Sequence, residues 1–505
     1  MPKHSEKIAT QLLKLEQVLD ACIERALRAR CDLKSTLNRL LPTAGKHMVA
    51  ARINLSTRNE ELAQEDFVWQ TTRKPAGPRV RRRLDVAGES IGHITVHFAS
   101  KIPTAQASAM VRILAEELDA ILFMIHTARE KQALIERVTR ALTREVFTEA
   151  LDDAVRALAR VVPFDRLAIV HLEESGLEHR SLDYRLYRAG RCTHDTTKHP
   201  HAGLDEAIVE DGVALLSPDR HRVARVLDLP HTVETLFLMG ITEAECLGQL
   251  VVSTKKGLDT VSRDLLTIFA NAVAQRLIDY RRERQYLAEH FSRSAVDRLL
   301  AQKNYREKLL APRTAEIGIL YADINSFTQI CEKSLKDPHR VGTFVDLWAR
   351  EAVRIVKRNG GVYDKMVGDC IIALFGPPFF KKTAKQNARN AMKAAKELQA
   401  FTIQLEKQGD YHRVIKDAGL PGLGVAIGVN LCPAVVGLFG ATKDYTAFSS
   451  GMNQTARLQS LGGFREILAM DRVRKLIGGR GWSAPRKTKV KNVAQPLRYN
   501  LWQGK

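Results

Sequence analysis

Apolar and polar positions along this 505-residue chain follow two rhythms. In "IGHITVHFASKIPTAQASAMVRILAEELDAIL" (91–122) a two-residue alternation gives way, after a polar turn, to a helical period. This predicts a short strand and then a long amphipathic helix. "LGQLVVSTKKGLDTVSRDLLTIFANAVAQRL" (247–277) repeats the succession. The segments leading in are also alike: "LDACIERALRARCD" (19–32) parallels "LDDAVRALARVVPFD" (151–165), a helix that in the second copy feeds the strand "RLAIVHLEE". Such self-similarity predicts two related α/β modules, at 1–130 and 131–285. The second is lengthened by an insertion around "RLYRAGRCTHDTTKHPHAGLDEAIVEDG".

A proline-free helical pattern then runs from 262 to 300. Ala270, Val273, Leu277, Tyr280, Arg284, Leu287 and Phe291 keep the three-then-four spacing of a coiled-coil seam, with Arg284 as the misfit. Two arrangements fit: a parallel pair of helices from two chains, or one helix packed back on its own module. A helical linker is expected over 286–312, and a further α/β domain over 313–505. That domain opens with the buried strand "EIGILYA", and "VYDKMVGDCIIALF" predicts a hairpin with Val367 and Gly368 as its turn. The long uncharged stretch Leu423–Ala441 approaches bilayer-spanning length. Its four glycines, Pro433 and Asn430 predict strand, turn and strand instead.

Composition narrows the function classes. The net charge of +21 is dispersed over helices such as "ARNAMKAAKELQA", with no aromatic-interleaved patch, so a nucleic-acid partner is not expected. Seven cysteines without a CxxC pair argue against a disulfide framework or structural zinc. They suit a reducing compartment. The N-terminus breaks its apolar residues with charges, unlike a signal peptide, and no transmembrane segment is expected. A cytoplasmic location follows. His194, His199 and His201 could be metal ligands, but loop histidines without matching ligands elsewhere read as solvated side chains.

Two carboxylates stand out. Asp323 ends the strand in "ILYADINSFT", and Asp369 sits at the hairpin turn of "YDKMVGDC". If the hairpin lies beside the first strand, the two converge. Unmetallated they would repel, and one pKa would rise. Hard oxygen donors of this kind suit Mg²⁺ or Mn²⁺, held by one or two carboxylates plus substrate phosphates. Backbone amides of the following turn and helix start, at Phe327 and Thr328, would face an arriving phosphate.

"ILYADINSFT", "GGVYDKMVGDCIIALFG" and "DYTAFSSGMNQTARLQ" resemble, in order and spacing, the catalytic domain of class III nucleotidyl cyclases over 313–503. The two N-terminal modules resemble GAF sensor domains, the first in degenerate form. The expected fold class is therefore α/β (α+β): two GAF-like modules, a helical coiled-coil linker and a ferredoxin-like cyclase domain. The resemblance implies an adenylate cyclase working as a homodimer, with ATP as substrate, two Mg²⁺ or Mn²⁺ ions per active site, and an unidentified small-molecule effector at the GAF-like modules.

Carried over residue by residue, the resemblance makes Asp323 and Asp369 metal ligands, with the Ile324 carbonyl as an accessory. Lys365 and Thr446 would contact the purine, Asn453 the ribose, and Arg457 the α-phosphate. Threonine at 446 places the chain with the Thr-containing branch of adenylate cyclases. A lysine donor and a threonine oxygen complement adenine N1 and N6; guanine would call for an acidic residue at 365. The sequence departs from the family at Asn325-Ser326 (usually Arg-Gly), at Ser449-Ser450 (usually Gly-Asp) and at Cys432-Pro433, a usual glycine turn. The alternative reading is a catalytically silent cyclase-like module that binds nucleotide or dimerises.

Overall fold

The structure is a computed structural model and describes residues 2–29, 33–58, 64–86, 89–174, 180–217, 222–227, 229, 232–242, 245–491, 493 and 495–504. It divides into two compact units, Met1–Arg137 with Asp259–Leu265, and Val138–Leu258 with Leu266–Lys505.

In the first unit, α1 (Pro2–Arg28) and α2 (Leu33–Met48) precede β1 (Ala50–Arg58), β2 (Gln64–Gln70), β3 (Arg79–Val86) and β4 (Glu89–Phe98), and α3 (Thr104–Leu142) follows. The strands form an antiparallel sheet in the order β2-β1-β4-β3. Ile53 and Leu55, then Ile94 and Val96, sit two residues apart on one sheet face and bury against Leu37, Leu40, Val111 and Leu114 of α2 and α3.

The second unit begins with α4 (Phe147–Leu158), β5 (Arg166–Glu174), β6 (Arg180–Arg188), β7 (Arg191–Asp195), α5 (Ala202–Asp211), α6 (Arg222–Val226), β8 (Thr232–Met239) and β9 (Cys246–Thr254). Its sheet order, β7-β6-β5-β9-β8, is that of the first unit with β7 added outside. The repeat in the sequence therefore coincides with a common strand order, and the insertion supplies β7, α5 and α6. His201 caps α5 by accepting the Leu204 N–H at 3.3 Å, and His199 is exposed. Among the described residues no three His, Cys, Asp or Glu side chains gather as a metal site.

Helix α7 (Thr260–His290) is continuous, and α8 (Arg293–Leu300) follows it. The domain boundaries expected at 130 and 285 thus fall inside helices α3 and α7. The seam residues Ala270, Val273, Leu277, Leu287 and Phe291 are all buried within one chain. Tyr280 stacks on Phe147 at 4.2 Å, and Leu287 and Phe291 join the core of the C-terminal domain. The seam is therefore used inside the chain rather than as a free coiled-coil face. Arg284 ceases to be a misfit. Its buried guanidinium meets Glu173 of β5 at 2.7 Å and Asp297 of α8 at 2.8 Å.

The C-terminal domain comprises β10 (Arg313–Ile324), α9 (Phe327–Gln329), α10 (Pro338–Arg358), β11 (Gly361–Val367), β12 (Cys370–Phe375), α11 (Ala384–Leu405), α12 (Tyr411–Asp417), β13 (Val425–Phe439), β14 (Asp444–Phe448), α13 (Ser450–Ser460), β15 (Ile467–Met470), α14 (Asp471–Ile477), β16 (Arg486–Thr488) and β17 (Leu497–Trp502). Helix α10 starts where Asp337 accepts the His339 N–H and Pro338 takes the first position, which needs no donor. The sheet runs β11-β12-β10-β13-β15-β17-β16, with β14 paired to β13. Its first four strands and helices α10 and α11 make the ferredoxin-like βαββαβ core.

Alternation along β10 sorts its side chains. Leu320, Ala322 and Ile324 bury against α10 and α11, whereas Ile317 and Ile319 face Leu287, Phe291 and α8. The stretch expected to be strand, turn and strand is mainly one strand, β13, and the turn comes only after Phe439. Asn430 fits inside this strand because its side chain accepts the Leu431 N–H and donates to the Gly451 carbonyl. Gly437 does not turn the chain but lets Pro312 approach, where a Cβ would meet the Pro312 Cα at 2.6 Å. Among the described residues no helix is long and apolar enough to cross a membrane.

Candidate active site

Asp323 follows Ile317, Ile319 and Tyr321 at two-residue intervals, so it projects from the sheet face opposite α10 and α11. The β11–β12 hairpin brings Asp369 to it. Val367 pairs with Cys370, which makes Gly368 and Asp369 the two turn residues, one position later than the sequence suggested. Gly368 adopts φ +64°, a conformation natural to glycine. From this turn Asp369 Oδ2 accepts the Ile324 N–H at 3.1 Å.

The two carboxyls are close enough to share a hydrogen bond. Burial, and then the Asp369 charge, push Asp323 up to about 6. Burial also raises Asp369, against the backbone N–H groups of Asp369 and Ile324 that favour its ionised form. The Cys370 thiol is driven up to about 12 by burial and by both carboxylates, which keeps it protonated and a poor metal ligand. An oxygen-only, mutually repelling pair of this kind fits Mg²⁺ or Mn²⁺. Ile324 is engaged with Asp369 through its N–H, and its side chain lies in the core.

The turn between β10 and α9 accommodates the departures from the family. Ser326 takes a left-handed conformation, φ +57°, at the position where the family has glycine. Asn325 Oδ1 accepts the Arg465 N–H at 3.0 Å, tying this turn to the loop before β15. Phe327 is partly buried on the core, and Thr328 is exposed. Ser449 acts as the cap of α13, accepting the Met452 N–H at 3.2 Å.

Lys365 is aimed by an irregularity that the sequence reading missed. Tyr363 pairs with Ala373 and Lys365 with Ile372, so Asp364 is an extra residue, a β-bulge. Ala373 belongs to the core under α10 and α11, and Ile372 to the opposite face. Uninterrupted alternation would direct Lys365 into the helix-covered core; the bulge turns it onto the Asp323 face. A lysine at a core-facing position of "GGVYDKMV" was the legible sign of it.

The bulged Asp364 is buried and lies beside Thr446 of β14. Asn453 and Arg457 share the exposed side of α13, while Gly451, Thr455 and Leu458 pack down. Among the described residues Arg457 has no acidic partner within ion-pair distance. Gln459, also missed from sequence, reaches from α13 to Asp323 and favours its ionised form. The structure thus joins Asp323 with Asp369, and Thr446 with the Lys365 strand, within one chain.

Residues 309–493 match the family described as the adenylate and guanylate cyclase catalytic domain. A terminal-differentiation specific adenylate cyclase of Dictyostelium discoideum is 28% identical over 147 residues, covering 29% of this chain and 6% of that protein. An adenylate cyclase of Anabaena cylindrica is 28% identical over 154 residues, covering 30% and 28%. The similarity therefore spans under a third of either relative. Among solved structures, the adenylyl cyclase CyaB from P. aeruginosa is similar at 23% identity over 39% of this chain and 98% of that one, with a TM-score of 0.33. The C-terminal part of the chain, over residues 309–493, is thus similar to the adenylate and guanylate cyclase catalytic domain.

Proposed function

We propose that the protein is an adenylate cyclase that converts ATP to 3′,5′-cyclic AMP and pyrophosphate in a homodimer. The observation that carries this reading is the hairpin turn that sets Asp369 against Asp323 while the bulge beside it delivers Lys365 to the same sheet face. Asp323 and Asp369 would hold Mg²⁺ or Mn²⁺. When bound, such ions lower the pKa of the ribose 3′-hydroxyl and neutralise triphosphate charge.

The chain's own side chains do the rest. Lys365 donates to adenine N1, and Thr446 accepts from N6. Asn453 orients the ribose so that its 3′-oxygen attacks the α-phosphorus in line and expels pyrophosphate. Arg457, with planar fixed donors and no carboxylate within ion-pair distance among the described residues, stabilises the equatorial oxygens as charge builds. Exposure of Asn453 and Arg457 on α13 suits a site completed across a dimer, with the aspartates of one copy facing Lys365, Thr446, Asn453 and Arg457 of the other.

Regulation would enter through the N-terminal modules. In the second of these, a cavity of about 220 Å³ is lined by Leu167, Leu186, Arg166, Arg188, His194 and His201, and is our candidate for the effector site.

The test is direct. Purified protein with ATP and Mn²⁺ or Mg²⁺ is expected to yield cyclic AMP and pyrophosphate, and Asp369→Asn to abolish both. Wild-type protein that makes no product with either metal would favour the silent module instead, and product from GTP alone would overturn the base assignment.

A further inference from the structure

Asp364 and Thr446 form an unusual pair of buried groups. Each retains 6% exposure, and among the described residues neither Asp364 Oδ2 nor Thr446 Oγ1 has a partner at hydrogen-bond distance. Buried polar atoms are nearly always satisfied, and an orphaned one commonly marks a functional site. Asp364 is also the residue that the bulge inserts, without a partner of its own on β12. The two side chains are neighbours. Burial raises Asp364 above the ordinary carboxylate range, and the Thr446 hydroxyl, then Lys365 and His290, pull it back, while Asp444 opposes them.

We propose that Asp364 is a positioning residue for base selection: its carboxylate engages the Thr446 hydroxyl hydrogen, so that the hydroxyl oxygen presents only lone pairs to the purine. This rests on the reading of Lys365 and Thr446 as the base-contacting pair. A threonine hydroxyl can donate or accept. Left free, it rotates to accept from the N6 amino group of adenine or to donate to O6 of guanine, and discriminates weakly. An ionised carboxylate only accepts, so a hydroxyl bound to it has one role left. That role complements adenine and leaves guanine O6 facing another acceptor. The bulge is what makes the arrangement possible, because it puts Asp364 and Lys365 in succession without sending the lysine into the core.

Asp364→Asn keeps shape but offers an amide that can donate to Thr446 and free the hydroxyl hydrogen for guanine. The ATP-to-GTP ratio of kcat/KM is expected to fall about tenfold, with part of the change appearing as improved use of GTP. Thr446→Val should lower the ratio by a similar factor, and adding Asp364→Asn to it should change the ratio no further. A purely structural Asp364 would instead lower both substrates together. Affinities for ATP and GTP in the presence of Mn²⁺, measured by calorimetry, give the same ratio without turnover. An unchanged ratio in either single variant, or additive effects in the double variant, overturns the proposal while leaving the cyclase reading intact. Wild-type protein that binds neither nucleotide removes the cyclase reading and this inference with it.

Discussion

Replacing Arg284 by methionine should loosen the junction between the second module and the catalytic domain. Methionine preserves the apolar stem and deletes only the guanidinium. In the wild type that group bridges Glu173, whose side chain is 16% exposed, and Asp297, which is 48% exposed. Removing one member of a buried ion pair costs about 3–5 kcal/mol, because the other is left charged and desolvated. Two features reduce that figure here. Arg293 still reaches Glu173 at 2.8 Å, and Asp297 can be hydrated. A loss of about 2 kcal/mol in local stability is expected, equivalent to roughly thirtyfold faster exchange of amides that open locally. Hydrogen exchange of peptides covering 166–174 and 284–300 reads it. The variant Glu173→Gln removes the stranded charge, so the double variant should exchange more slowly than the sum of the singles predicts, by about 1 kcal/mol or more of coupling. Exchange within about threefold of wild type, or strict additivity, refutes the account of Arg284 as an ionic bridge.

Two further outcomes follow from single side chains. Ser326→Gly should raise stability by roughly 0.5–1 kcal/mol, since a left-handed serine is strained where glycine is not; an unchanged or lower unfolding midpoint contradicts this. Lys357 donates to the Ala288 carbonyl, and burial lowers it from 10.5 to about 8. Between those values the unfolded chain binds more protons than the folded one, so this group's contribution to stability rises with pH from about 8 to 10.5, by roughly 1–3 kcal/mol. Thermal midpoints of wild type and Lys357→Met across that window should diverge, and parallel curves would sink the assignment.

The linker helix shows how the sequence leaves a choice that packing resolves. A three-then-four apolar spacing describes a stripe on a helix, whatever covers it. The same Leu287 and Phe291 that could meet a second helix find Ile317, Ile319 and Tyr445 in their own chain. The odd residue of the stripe, Arg284, becomes intelligible only when Glu173, distant in sequence, appears beside it.

The alternating and helical patterns and the repeat were legible in the sequence, because they follow from the periodicity with which side chains must enter a core; the cyclase fold was implied by the resemblance of three ordered motifs to a family. The sequence also picked out Asp323 and Asp369, since a carboxylate at the edge of an apolar run needs a chemical reason. Only the tertiary structure decided the direction of Lys365 and the neighbourhood of Asp364. A one-residue bulge reverses which face a strand residue occupies, and its position depends on pairing with β12 rather than on local preference. Likewise, Thr446 and Asp364 are 82 residues apart and meet only because β14, paired to β13, lies against β11.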